Sequence, residues 1–229
     1  MTVGSRLFVD RSAAGVELAH ELKRRSLRPP VLVLGLPRGG VPLAYEVARA
    51  LGAALDVLVV RKIGMPGQPE LAIGAIASGN IIVHAPRLAG ESSNLGDAFR
   101  RLAEHEHREL ERREQVYRPG LPPLELKEKT VVLVDDGLAT GSTMLAAVRA
   151  ARQAGAASVI VAAPVASAHA VALLRPEADQ VIILQVPPML SSIGQWYEDF
   201  EQLEDTDVCR LLALNRKAAP AAGVGRETG

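Results

Sequence analysis

Apolar residues in this chain gather into short runs separated by amphipathic stretches. Residues 31–34 are apolar without alternation, and residues 55–60, 130–134, 158–163 and 180–184 are nearly so. Runs of that length lacking an alternating polar face read as strands covered on both sides. Between them the period changes. Residues 12–25 carry an apolar stripe at Ala14, Leu18 and Leu22 and stop at Pro29-Pro30. Residues 42–51 read as a helix closed by Gly52, 142–153 as one closed by Gly155, and 168–174 as a shorter one. Strand, helix and strand in repeated succession predict βαβ units with right-handed crossovers. The expected fold class is α/β, a three-layer sandwich around a mainly parallel sheet.

The middle of the chain breaks this rhythm. Residues 64–79 are rich in Gly and Pro, and a weaker strand is expected at 81–84. A charged helix follows at 97–117, its thin stripe formed by Leu95, Phe99, Leu102 and Leu110. Glu104/Arg108 and Glu109/Arg113 are spaced to pair along it. From Asn215 onward Ala, Gly, Pro and charge replace apolar periodicity. We expect one domain over residues 1–214, with small hood elements within about 80–125 and 185–205. Residues 215–229 are expected to be a disordered tail.

Composition narrows the function classes. Lys plus Arg and Asp plus Glu number 26 each, so no global field draws the chain to nucleic acid or an anionic membrane. Any polyanionic ligand must meet local cations. Cys209 is the only cysteine, which precludes an internal disulfide or a Cys-based zinc site and fits a reducing compartment. His105 and His107, two apart on a helix, point to different faces, and no metal-ligand spacing joins the other histidines. The first residues lack the basic and apolar regions of a leader, and no apolar run approaches membrane-spanning length. The expectation is a soluble cytoplasmic protein without a membrane partner.

The chemistry concentrates in residues 131–143, Val-Val-Leu-Val-Asp-Asp-Gly-Leu-Ala-Thr-Gly-Ser-Thr. An apolar strand delivers Asp135 and Asp136 to its C-terminal end, where ligands bind in open α/β sheets. A loop with Gly137 and Gly141 then enters a helix, offering backbone N–H groups and the positive helix end to an anion. Amides for a phosphate thus stand beside carboxylates for sugar hydroxyls or a metal. Other readings exist. An apolar strand ending in Asp-Asp also occurs in Walker B segments, but no phosphate-loop motif precedes it. A receiver domain would need an acceptor Asp at the end of a later strand, and Asp179 comes before one. An ordinary capped strand-turn-helix explains the capping residues but not two adjacent acids.

These thirteen residues resemble the phosphoribosyl pyrophosphate signature of type I phosphoribosyltransferases. The likeness extends further. Leu36-Pro37-Arg38-Gly39-Gly40 resembles the family's pyrophosphate loop, Arg61-Lys62 its basic pair, and residues 64–77 occupy the place of its mobile, ligand-covering loop. The whole looks like a branch of this family without an assigned base substrate, following its plan from about Asp10 to Asp205.

The resemblance implies roles for individual residues. Asp135 and Asp136 would contact the ribose hydroxyls and stabilise positive charge on the ring. Gly137, Leu138, Ala139, Thr140, Gly141, Ser142 and Thr143 would hold the 5′-phosphate. Arg38, Gly39, Gly40, Arg61 and Lys62 would take the pyrophosphate, with a cis peptide at Pro37–Arg38. Glu70, in the loop, is a candidate general acid or base. Mg²⁺ would arrive on phosphoribosyl pyrophosphate, near Asp135 and Asp136 and without a dedicated protein cage. The implied activity moves 5-phosphoribosyl to a nitrogenous base or amine that the sequence does not identify. A donor-sensing regulator and a hydrolase of phosphoribosyl compounds remain alternatives, and a homodimer remains open. Trp196 and Tyr197 could stack on a base or anchor the hood, although packing is the expected role of aromatics.

Overall fold

The computed structural model describes residues 7–65, 68–79, 81–84 and 96–218, with side chains described for all of these except 65, 68–73, 84 and 96–101. The unbroken apolar runs form β1 (Val31–Gly35), β2 (Ala54–Val57), β6 (Thr130–Val134), β7 (Ser158–Val165) and β8 (Gln180–Gln185). They pair in the order β2-β1-β6-β7-β8, every pair parallel. The helices between them are α1 (Arg11–Lys23), α2 (Gly40–Leu51), α4 (Ser142–Gln153) and α5 (Ala168–Leu174).

Successive residues of each strand face opposite layers. In β6, Val132 and Val134 pack with Leu18 and Leu22 of α1 and with Leu43 and Val47 of α2. Val131 and Leu133 pack instead with Met144, Val148 and Ala151 of α4 and with Ala170 and Leu174 of α5. Both faces are therefore dry, which is why the strands show no polar alternation. The expected three-layer α/β architecture is present. Among the described residues no helix is long and apolar enough to cross a membrane.

The chain departs from expectation where one apolar run serves two sheets. Residues 55–60 are not a single strand. β2 stops at Val57, and β3 (Val60–Met65) pairs antiparallel with β4 (Gln68–Ala77), which pairs with β5 (Ile81–His84). At the crossing Leu58 N–H donates to the Gly35 carbonyl, and Val59 N–H donates to Ser78 Oγ, 3.0 Å away. Leu58 and Val59 are fully buried, so the hydrophobic pattern runs on through the change of sheet. Residues 64–77, read from sequence as a ligand-covering loop, belong in their described part to this hairpin, with register shifts on either side of Gly64. The second sheet thus begins at Val60.

The charged helix is α3 (Gly96–Tyr117), which contacts β3 and α6 (Asp205–Ala218). Leu110 and Tyr117 form its buried stripe; Leu95 and the Phe99 side chain lie outside the described residues. Glu109 pairs with both Arg112 and Arg113, while no contact joins Glu104 to Arg108 among the described residues. The tail expectation needs correction at its start. Helix α6 continues through Ala218, and Asn215 is buried. Asn215 Oδ1 accepts from Leu55 N–H at 2.9 Å and its Nδ2 donates to the Ala53 carbonyl at 3.4 Å, closing the edge at β2. Residues 219–229 lie outside the described residues.

Candidate active site

Because β1 and β6 are parallel neighbours, the turns that leave them lie side by side at the C-terminal end of the sheet. Leu36 N–H donates to the Val134 carbonyl at 2.9 Å, joining the two turns. The Pro37–Arg38 peptide is cis, as the family likeness implies. Gly39 and Gly40 then pass so near the acids that side chains do not fit. A Cβ on Gly39 would lie 2.6 Å from Asp136 Cγ, and one on Gly40 would lie 2.9 Å from Asp135 Cα and overlap the Val134 carbonyl. These glycines therefore have a packing reason to be glycines, whatever they bind.

Each acid commits one oxygen to the protein. Asp135 Oδ1 accepts from Asp136 N–H at 2.9 Å. Asp136 Oδ2 accepts from Arg11 Nε at 3.0 Å, in an ion pair whose side chains are only 12% and 15% exposed. Among the described residues nothing hydrogen-bonds Asp135 Oδ2 or Asp136 Oδ1. No unpartnered side-chain oxygen or nitrogen is buried there either, so both free oxygens reach solvent. Burial pushes both carboxyls above the ordinary carboxylate range. For Asp135 the negative charge of Asp136 adds to the rise, and the Asp136 N–H and Arg11 oppose it in part. For Asp136 the Arg11 guanidinium opposes it. The pair can meet a growing positive charge directly.

The β6 turn also opens an anion cradle. Gly141 adopts φ +74°, a left-handed conformation that disfavours any side chain, and from there α4 begins. Among the described residues the N–H groups of Ala139, Thr140, Gly141 and Thr143 have no acceptor. Thr140 Oγ1 and Ser142 Oγ are 3.0 Å apart at the same lip. Unpaired amides at a helix start, with the helix field behind them, suit an anion. Leu138 does not join them. Its N–H donates to the Val165 carbonyl at 2.9 Å, and its side chain is buried, because the turn is stitched here to the end of β7. Gly137 packs against Ile193, where a Cβ would come within 2.5 Å of its side chain.

The expected cations are partly engaged. Arg61 Nε pairs with Glu106 on α3 at 2.8 Å, Arg38 lies 4.0 Å from Glu204, and Lys62 is exposed with no ion pair among the described residues. The backbone of Glu70 belongs to β4; its side chain lies outside the described residues.

Sequence reasoning missed the group that surrounds Asp136 from behind. Arg11 opens α1 just after Asp10, whose carboxylate caps the helix by accepting from Ala13 N–H at 2.7 Å. The Arg11 guanidinium lies 3.7 Å over the Phe200 ring, and its Nη1 donates to the Glu201 carbonyl at 2.8 Å. Tyr197 OH donates to the Asp136 carbonyl at 2.6 Å, and its ring sits between Phe8 and Phe200. Burial, then the charge of Asp136, keeps that phenol protonated far above its ordinary range. Trp196 and Tyr197 are core residues, as packing predicts, yet Tyr197 also ties the core to the acid turn. No spacing rule links residue 11 to residue 136; only the fold brings them together.

The family model described as phosphoribosyl transferase domain matches residues 12–189, most of the chain. The chain belongs to the phosphoribosyl transferase family. Two relatives from Mycobacterium tuberculosis, strains CDC 1551 and H37Rv, are named only provisionally as phosphoribosyl transferases. Each is 42% identical over 218 residues, covering 95% of this chain and 49% of its own length. The chain thus spans about half the length of the curated relatives it matches. The crystal structure of TT1426 from Thermus thermophilus is 44% identical, with a TM-score of 0.82 over 90% of this chain and 97% of that one. A hypothetical protein from Neisseria gonorrhoeae with bound ppGpp has a TM-score of 0.51 at 13% identity, over 92% of this chain and 97% of that one. At that identity the likeness is one of fold alone. The turns after β1 and β6 hold the residues for which the sequence suggests a role toward the donor, apart from Glu70, Arg61 and Lys62, which lie in the second sheet.

Proposed function

We propose that this cytoplasmic protein transfers 5-phosphoribosyl from phosphoribosyl pyrophosphate to a nitrogenous base or amine and releases pyrophosphate. One observation carries the reading: two carboxylate oxygens without protein partners stand at the start of a turn in which the amides of Ala139, Thr140, Gly141 and Thr143 lack acceptors. The amides of Ala139, Thr140, Gly141 and Thr143, with the hydroxyls of Thr140, Ser142 and Thr143, would hold the 5′-phosphate. The free oxygens of Asp135 and Asp136 would take the ribose hydroxyls.

In the reaction the bond from the anomeric carbon to pyrophosphate breaks, and the pyrophosphate leaves with the electron pair. The acceptor nitrogen bonds to that carbon from the opposite face and gives up its proton, for which Glu70 is our candidate base. Positive charge on the ring is greatest between the two events, so carboxylates fixed beside it stabilise that state more than the ground state. Lys62 and Arg38 would meet the pyrophosphate, and Arg61 would do so by sharing its ion pair with Glu106. Mg²⁺ keeps most of its waters and binds through substrate phosphates with few carboxylates, which suits an acid pair having two open oxygens and no closed cage. When bound with the donor it would neutralise the leaving pyrophosphate.

The test is pyrophosphate release from Mg²⁺ and phosphoribosyl pyrophosphate against a panel of purines, pyrimidines and other amines. Acceptor-dependent release is expected. Release that needs no acceptor would replace the reading with a hydrolase. Tight donor binding without turnover would replace it with a donor sensor.

A further inference from the structure

Asp136 sits in a socket built from three distant parts of the chain. Arg11 comes from the first turn of α1, Tyr197 and Phe200 come from the segment after β8, and Gly39 comes from the turn after β1. Arg11 is the keystone because it joins Asp136 to the segment after β8 and is itself immobilised. Its Nε holds Asp136 Oδ2, its Nη1 holds the Glu201 carbonyl, and its plane rests on Phe200. A planar guanidinium fixed by a carboxylate, a carbonyl and a ring loses little further freedom when a ligand arrives. The Gly39 backbone blocks Asp136 on another side, since even one added carbon there would collide with the carboxylate.

This arrangement has a consequence for the neighbouring acid. Two carboxylates next to each other in sequence repel, and a free side chain would rotate to separate them. With Oδ2 tied to Arg11, Asp136 keeps one orientation and leaves Oδ1 open, as Asp135 leaves Oδ2 open. We infer that Arg11 is a positioning residue for the sugar-binding acids, holding Asp136 so that its free oxygen and that of Asp135 present a fixed two-oxygen edge. The inference rests on the phosphoribosyl reading above, which supplies the ribose. It adds that the start of α1, some 125 residues from the acid motif, is part of the sugar site. Arg11 itself touches no phosphate-binding amide, so its influence is specific to the sugar.

The experiment compares ligands that do and do not need that edge. Parent, Arg11→Gln, Asp136→Asn and the double variant are titrated calorimetrically with ribose 5-phosphate and, separately, with inorganic phosphate. Inorganic phosphate reads the anion-binding groups without the acids; ribose 5-phosphate reads the cradle of residues 139–143 together with the acids. Arg11→Gln is expected to weaken ribose 5-phosphate roughly tenfold, the scale of one charge-assisted contact, and to leave inorganic phosphate unchanged. The double variant should be no weaker than Asp136→Asn, because Arg11 acts through Asp136. Arg11→Lys, which keeps a cation without the planar fork, provides the same comparison if Arg11→Gln does not fold. Equal weakening of both ligands would make Arg11 a merely structural residue and overturn the inference. So would additive losses in the double variant, or ribose 5-phosphate binding as tight as in the parent. If the parent itself binds neither ribose 5-phosphate nor the Mg²⁺–phosphoribosyl pyrophosphate complex, it is the phosphoribosyl reading that falls.

Discussion

The turns after β1 and β6 begin alike, each leaving a buried parallel strand and entering a helix on the sheet's C-terminal side, yet they serve different ends. The β1 turn, residues 36–40, is a seam: Gly39 and Gly40 press against Asp136 and the Val134 carbonyl, and Leu36 bonds back to that same carbonyl. The β6 turn, residues 135–141, is a cradle with amides lacking acceptors and hydroxyls at its lip. A glycine in the first allows close approach, whereas Gly141 in the second allows a left-handed backbone. Glycine alone therefore does not mark a ligand loop. What distinguishes the turns is how tightly they pack on the rest of the site, since the N–H groups of Arg38 and Gly39, like those of Ala139, Thr140 and Gly141, have no acceptor among the described residues.

If that contrast is right, damage to the cradle removes binding and damage to the seam removes stability. The largest effect is expected from replacing Asp135 and Asp136 together with Ala. Each lost contact at about 1.5–3 kcal/mol would weaken the Mg²⁺–donor complex tens- to hundreds-fold per residue. Calorimetry and turnover read this in a variant that still folds, with a lower melting temperature because Arg11 loses its buried partner. Undiminished turnover would break the assignment of the acids.

Next comes the seam. Gly40→Ala forces backbone atoms of β6 to move and should cost about 3 kcal/mol by overpacking, read as a fall in denaturation midpoint. Gly39→Ala should cost less stability, because the group displaced is the Asp136 side chain rather than backbone, but it should weaken ribose 5-phosphate by disturbing the Arg11 pair. A Gly40→Ala protein as stable as the parent would show the seam to be loose.

Gly141→Val probes the cradle through its backbone. Holding a branched residue at φ +74° costs about 1–2 kcal/mol, and the new side chain would crowd Ala170. Donor affinity should fall further than the melting temperature explains. Unchanged binding of ribose 5-phosphate in a folded variant would leave the loop as a helix cap.

The smallest expected effect concerns pH. Asp135 has a carboxyl raised by burial, so its native form holds a proton more tightly than its unfolded form. Such a group favours folding when protonated, and that contribution is lost as pH rises from the unfolded value near 4 through the raised native value. Asp135→Asn should therefore raise the melting temperature at pH 7, with the gain vanishing below about pH 4. A gain that persists in acid would point to a cause other than ionisation.

The amino-acid sequence by itself determined the three layers, because a strand covered on both faces must be apolar throughout, and residues 131–134 and 158–163 show that directly. It also determined the acid turn, whose chemistry is contiguous from Asp135 to Thr143 and needs no distant partner to be recognised. It did not reveal that residues 55–60 change sheets, since Leu58 and Val59 are buried on either side of the crossing and leave the same apolar pattern. Nor did it show that Asn215 lies under the β2 edge, because one buried polar residue on a charged helix leaves no periodic trace. Leu138 stands within the motif's phosphate run, but its N–H is engaged by Val165, an acceptor on the next strand that the motif does not record. The approach of Arg11 and Phe200 to the site, and the tie from Tyr197 to the acid turn, leave no trace in the sequence for the same reason. Periodicity and motif spacing record what neighbouring residues do together, and only the folded chain decides which oxygen of Asp136 an arginine 125 residues away will hold.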